Sequence, residues 1–280
     1  MRNFGLRVAC SDGQNPRTHR LSFFIHSRLF RIDLPRSSCM KFYLVELLTL
    51  PAPLLVAIFA LFRRDSSRRR ADLLTVFIFF AYAPLAEIVL QSLVVHRTAV
   101  DPSLLAVDRA LHFPTMAIWQ WAHAHHAAFV AAAIIYLALP QVVALAWLAE
   151  QNTAMRTAWV LTGLLCFVGF ALFPAVGPAH YDWSAHSAMV APRNCLPSMH
   201  LSWALLVAIM ARRRILKIVF WIFVALTAFA TIAIGEHYLI DLIVAVPFTY
   251  ALRSSAEWLH RQRIYSRKIA RPVPQGASEP

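Results

Sequence analysis

Long unbroken apolar runs restrict this chain more than any other feature. Residues 128–149 contain no charge and residues 215–235 only Lys217, and about 20 such residues are what a helix needs to cross the roughly 30 Å hydrocarbon core of a bilayer. A helix apolar all round has no face to offer water, and within lipid each backbone group must find its partner inside its own segment. The expected fold is therefore an all-α polytopic membrane protein. Seven runs qualify as spans, at 42–62, 72–95, 128–149, 157–175, 198–211, 215–235 and 237–252, with the fifth and seventh short. Little length remains for a separate soluble domain.

The net charge of +13 would suggest nucleic acid in a soluble chain. Here the bases lie between spans, as the positive-inside rule requires, and no nucleic-acid partner is expected. Segments 63–71, 150–156, 212–217 and the tail from Arg253 hold sixteen of the 27 Lys and Arg residues, whereas 96–127 and 176–197 hold only Arg97, Arg109 and Arg193. That asymmetry puts the C-terminus in the cytoplasm. It puts the connections before Met199 and around His237 on the extracytoplasmic side. The first 41 residues carry eight more bases and would violate the rule if an odd number of spans placed them outside. One reading is that the native chain starts at Met40, where "MKFYLVELLTL" runs directly into a span. The expected organisation is then a disordered extension (1–40), an extra span with a basic cytoplasmic loop (41–71), a membrane domain built on a six-helix core (72–252) and a basic cytoplasmic tail (253–280).

Between the second and third spans, residues 96–126 are too polar to cross the bilayer and too apolar to be a free loop, so a surface-lying amphipathic helix region is expected. Asp101 followed by Pro102 reads as a capped helix start, and Trp119 and Trp121 suit the headgroup level. His123, His125 and His126 have no carboxylate or cysteine beside them, and no metal is expected there. The four cysteines suggest no disulfide framework, with Cys195 read as a small apolar filler.

Chemistry-bearing residues collect on the extracytoplasmic side. In "NCLPSMHLSW" (194–203) Pro197 suits the first turn of a helix, Ser198 and neighbouring amides can receive an anion, and His200 lies in that first turn as a proton donor or acceptor. The chain then descends, turns at "ARRR" and returns at "IGEHYLIDL" (234–242), so His237, 37 residues after His200, reaches the same side. His237 and Asp241 lie about 40° apart around a helix and roughly 6 Å along it. A carboxylate there would set the tautomer of the imidazole and make its other nitrogen a nucleophile or base; alternatively the pair is a structural cap. Ionisable groups at the membrane favour the functional reading. Arg193 is a candidate phosphate cation, or a snorkelling surface residue.

"PSMH" followed one helical hairpin later by "GEHYLID" resembles the type 2 phosphatidic acid phosphatase superfamily, with its PS-x-H and H-xxx-D motifs. The HY-xx-D form is similar to the branch of inositol phosphorylceramide and sphingomyelin synthases. The resemblance implies a lipid phosphatase or phosphotransferase with His237 as nucleophile, Asp241 as its orienting partner, His200 as general acid and then base, and neither metal nor cofactor. It also implies a lipid phosphate substrate, for which Ser198 and Arg193, the latter alone or with Arg97 or Arg109, are the candidate binding groups in this chain. Two features depart from the phosphatase pattern. Ala230 and Thr231 stand where Ser-Arg is expected, and the earlier motif with lysine and arginine is missing from "FPAVGPAHY". Competing readings are a transporter or proton relay using the same titrating groups, and an inactive relative.

Overall fold

The computed structural model describes residues 8–12, 18–25, 28–35, 56–58, 60–62, 65–77, 93–94, 97–150, 153–188 and 193–269 of the 280. They divide into two compact units, Met1–Pro51 and Ala52–Pro280. In the first, β1 (Val8–Asp12), β2 (Thr18–Ile25) and β3 (Arg28–Pro35) form an antiparallel meander, with Cys10 opposite Leu21 and Leu21 opposite Ile32. Disorder was the expectation for this stretch. The strands follow a period-two alternation that a search for helical spans passes over: Leu21, Phe23 and Ile25 in β2, and Phe30, Ile32 and Leu34 in β3.

Among the described residues of the second unit, the regular structure is helical apart from a two-residue ladder, β4 (Tyr181–Asp182) with β5 (Ser187–Ala188). Its longer helices, among the described residues, are α1 (Ser66–Phe77), α2 (Asp101–Ala110), α3 (Thr115–Ala124), α4 (His126–Leu137), α5 (Leu139–Glu150), α6 (Thr153–Leu172), α7 (Met199–Met210), α8 (Arg214–Ala233) and α9 (Leu239–Ile269). Among the described residues, four segments are long and apolar enough to cross a membrane: His126–Ala149, Thr153–Leu172, Arg214–Ala233 and Leu239–Gln262. The first runs through α4 and α5, interrupted at Ala138, where Pro140 lacks the amide that would continue the ladder. With the shorter apolar α7 they account for the last five expected spans. The bulk of the spans at 42–62 and at 72–95 lies outside the described residues.

α7 is the hub, packed against α5, α6, α8 and α9. Leu201, Leu205, Leu206, Val207 and Met210 are buried there, and Ala204 and Ala208 have small side chains that let neighbouring backbones come close. Trp159 of α6 bridges two layers, edge-on to Trp147 at 5.8 Å and tilted against Trp203 at 5.4 Å. α8 is two-sided: Phe220, Val224, Thr227 and Thr231 point inward, whereas Ile215, Ile218, Ile222, Leu226 and Phe229 are exposed as a lipid-facing stripe. At the basic end, buried Asp72 of α1 accepts Arg156 Nη1 at 2.9 Å and Trp147 Nε1 at 3.3 Å, tying α1 to α5 and α6.

α2 begins where the Asp-Pro signal places it, but Asp101 is not its cap. The capping position is Val100, with no side-chain bond to the helix, and Asp101 is the first helical residue. Its carboxylate is directed across the fold instead. Asp101, Leu104, Leu105 and Asp108 form the buried face of α2.

Candidate active site

Two loops and two helix starts build the site. α7 begins at Met199, and Ser198 caps it, its Oγ accepting the Leu201 amide at 3.4 Å. The Leu196–Pro197 segment before it lies directly on α6, where Gly169 leaves room: a Cβ there would stand 2.5 Å from Pro197 Cδ and 2.7 Å from the Leu196 carbonyl. Gly177, at φ +86°, does the same for the loop after α6, since a Cβ would meet the Glu236 carbonyl oxygen at 2.6 Å. The chain leaving α6 is thereby pressed against the turn that presents His237.

His200 and His237 meet. Their ring centroids are 6.3 Å apart with planes inclined by 61°. His237 is 2% exposed and Asp241 fully buried. His237 Nδ1 lies 3.3 Å from Asp241 Oδ2, which also accepts the Tyr238 amide at 2.9 Å. If Nδ1 carries the proton donated to that carboxylate, Nε2 is the ring nitrogen with its lone pair free. The Ser198 amide bonds to the Asp241 carbonyl at 3.3 Å, coupling the start of α7 to the first turn of α9. Tyr136 of α4 stacks on His200 with centroids 3.7 Å apart and planes 21° apart, restricting that imidazole to one plane. Sequence alone offers no sign of Tyr136, which stands in an apolar run.

Arg193 is brought in less directly. It is 7% exposed, its Nη1 donating to the Arg97 carbonyl at 2.6 Å. Burial lowers its pKa, and the negative charge of Asp101 opposes that. Arg97 itself is exposed and donates to the Ala171 carbonyl, and Arg109 is on the exposed side of α2. Ala230 and Thr231 are buried, and the Thr231 hydroxyl is turned to its own helix, donating to the Ala228 carbonyl at 3.0 Å.

Asp101 and Asp108, both fully buried, reach the site from α2. Asp101 accepts the amides of Val176 and Gly177, the latter at 2.8 Å, and the Tyr238 hydroxyl at 2.9 Å. Burial raises its pKa while these donors pull the other way. Asp108 accepts the amides of Leu239 at 2.8 Å and Ile240 at 3.0 Å, together with the Thr115 hydroxyl. Sequence reasoning missed both roles. The available signal is two acids spaced i, i+7 on the face that also carries Leu104, where a solvent-exposed helix would place apolar residues.

Cys195 is completely buried beside Tyr238, and its thiol donates to the Glu236 carbonyl at 3.2 Å, so it is more than a filler. Its sulfur and donor atoms of His237 and Asp241 lie within 4.8 Å of one another, a grouping that sequence spacing does not disclose. His237 and Asp241 are bonded to each other there. His123 and His125 pack on aromatic rings, His125 stacking on Trp121 at 5.0 Å and His123 edge-on to Phe129 at 5.5 Å.

The arrangement is an imidazole backed by a carboxylate, a second imidazole facing it, and a capped helix start beside them. No curated protein and no solved structure matches the chain. Residues 102–253, more than half of the chain and inclusive of His200, His237, Asp241, Ser198 and Arg193, match the sequence profile of the PAP2 superfamily, and the protein belongs to that superfamily.

Proposed function

We propose that this protein is an integral membrane phosphoesterase or phosphotransferase that works on a lipid phosphate ester at the extracytoplasmic face through a phosphohistidine intermediate. The observation that carries the reading is the pair of imidazoles 6.3 Å apart with a carboxylate bonded to one of them. Reacting atoms come together at about 3–3.5 Å, so a single phosphorus with its ester oxygen fits between the rings.

In the first step His237 Nε2 bonds to phosphorus as the P–O ester bond breaks, and the departing oxygen takes a proton from the His200 imidazolium. In the second, neutral His200 takes a proton from water or an alcohol, whose oxygen bonds to phosphorus as the P–N bond breaks. Phosphate or a new ester leaves, and both rings regain their starting states. Asp241 keeps the Nδ1 proton of His237 in place and balances the positive charge that grows on that ring. Ser198 and the start of α7 receive phosphate oxygens, and Arg193 supplies the cation. No step calls for a metal.

The neutral residues at 230 and 231 favour the phosphotransferase branch, in which an alcohol replaces water as acceptor. Purified protein incubated with a labelled phospholipid separates the outcomes: free phosphate marks hydrolysis, a new phosphodiester marks transfer. An acid-labile phosphoenzyme should be trapped from the wild type and be absent from His237→Ala. Turnover that survives this substitution unchanged removes His237 from its role.

A further inference from the structure

A helix starts with amides that have no acceptor in the helix, and its dipole draws an anion to them. α9 has half of a local solution. Asp241, at its third position, reaches back to the Tyr238 amide in the manner of a capping box. The other half is missing, because the capping position is Tyr238, whose ring cannot accept from the first-turn amides and whose hydroxyl is bonded to Asp101. Asp108 supplies that half from α2. Its Oδ2 takes the Leu239 amide and its Oδ1 the Ile240 amide, across more than 130 residues of chain.

The segment joining the two members of the His237–Asp241 pair is thus held from outside at three consecutive residues: Tyr238 by Asp101, Leu239 and Ile240 by Asp108. We infer that Asp108 is a positioning residue for the reaction proposed above, on which this inference rests. Asp108 satisfies the Leu239 and Ile240 amides, so the Asp241 carboxylate, bonded to the Tyr238 amide and to the imidazole, is not drawn off the imidazole toward those two. It also occupies the α9 terminus with the protein's own negative charge, which leaves the start of α7, beside Ser198 and His200, for the substrate phosphate. Thr115, donating to the same carboxylate, fixes its rotamer and joins the start of α3 to that of α9.

Asp108→Ala, Asp108→Asn and Thr115→Val test this with two readouts, lipid phosphate turnover and hydrogen exchange of the peptide 236–242. A misplacement near 1 Å costs on the order of 100-fold in rate, so Asp108→Ala should lose kcat on that scale. KM should stay within about threefold, because the substrate contacts themselves remain. Asparagine keeps one acceptor oxygen and should restore part of kcat. Thr115→Val should give a smaller loss of the same kind, and serves if Asp108→Ala does not fold. Exchange at 236–242 should quicken in Asp108→Ala while peptides from α6 and α8 exchange as in the wild type. Wild-type kcat together with wild-type exchange in Asp108→Ala, or a rise in KM alone, overturns the assignment. A wild type with no turnover on any lipid phosphate refutes the functional reading by itself, and the exchange data still decide whether Asp108 holds this segment.

Discussion

Asp241→Asn probes the pair at the heart of the mechanism with almost no change in volume. Asp241 Oδ2 accepts two donors, His237 Nδ1 at 3.3 Å and the Tyr238 amide at 2.9 Å. The amide of asparagine has one acceptor oxygen and one donor group, so its orientation decides the outcome. With oxygen toward His237 both donors keep a partner, but a charge-assisted bond of about 1.5–3 kcal/mol becomes a neutral one of about 0.5–1.5. The difference of about 1–1.5 kcal/mol is roughly tenfold in rate. With nitrogen toward His237 the ring must switch tautomer, which puts the proton on the nucleophilic nitrogen and costs on the order of 10⁴. The Tyr238 amide decides between them, because it sits against the same oxygen and repels an NH2 group placed there. A loss of kcat near tenfold with KM unchanged is therefore expected, together with some loss of stability, since the NH2 group then lies at the buried Oδ1 position, which has no partner among the described residues. Single-turnover release of label from a lipid phosphate in detergent micelles measures the chemical step, and thermal unfolding measures the stability. A kcat within about twofold of wild type, in a variant that is folded, would refute the reasoning.

Other perturbations separate the remaining parts. Arg193→Ala should raise KM for the lipid phosphate by about 10- to 100-fold, the worth of a hydrogen bond to a charged group, and an unchanged KM would remove Arg193 from substrate binding. Gly169→Ala forces a Cβ to within 2.5 Å of Pro197 Cδ, so it should destabilise the fold by about 1–3 kcal/mol and lower kcat by shifting His200, as thermal unfolding and steady-state kinetics would record. At the opposite end, Arg156→Ala leaves buried Asp72 without that ion pair and should cost about 3–5 kcal/mol of stability, while turnover per folded molecule remains near wild type. Burial pushes the Cys195 thiol well above its ordinary pKa, so it stays protonated even near pH 9; maleimide should label it only after unfolding, and quick labelling of the folded protein would contradict the burial.

The features readable from sequence are those that repeat or that answer to the bilayer. Apolar runs disclosed the spans from His126 onward because a membrane helix must be apolar along its whole length. His200, His237 and Asp241 were legible because the hairpin between them returns the chain to the side it left, and because a spacing of four puts His237 and Asp241 on one helix face. Asp101 showed as a helix start but not as a clamp, since its partners at 176, 177 and 238 have no periodic relation to it. Asp108 and Tyr136 act across more than sixty residues of chain, and only tertiary packing makes those contacts. Gly169 is one small residue among several in α6 until Pro197 lies on it. The strands of 8–35 are hard to read for a different reason: period-two alternation is a weak signal in short segments beside the long apolar runs of the same chain.

The length of α7 sets how deep the chemistry lies. Twelve residues span about 18 Å, well short of a hydrocarbon layer about 30 Å thick. Arg212, Arg213 and Arg214 are exposed just past its far end and hold that end at the water boundary. α9 repeats the pattern, with fourteen residues from Leu239 to Leu252 before Arg253, about 21 Å. With both helices along the membrane normal and these arginines at one water boundary, the imidazoles would lie roughly 10 Å below the opposite surface of an unthinned bilayer. In the reaction proposed above, a headgroup would then have to sink toward its own acyl chains, or the lipid layer dimple around the protein, before phosphorus met the rings. Bilayer thickness then becomes a determinant of rate, and vesicles made from shorter-chain lipids should be the faster medium.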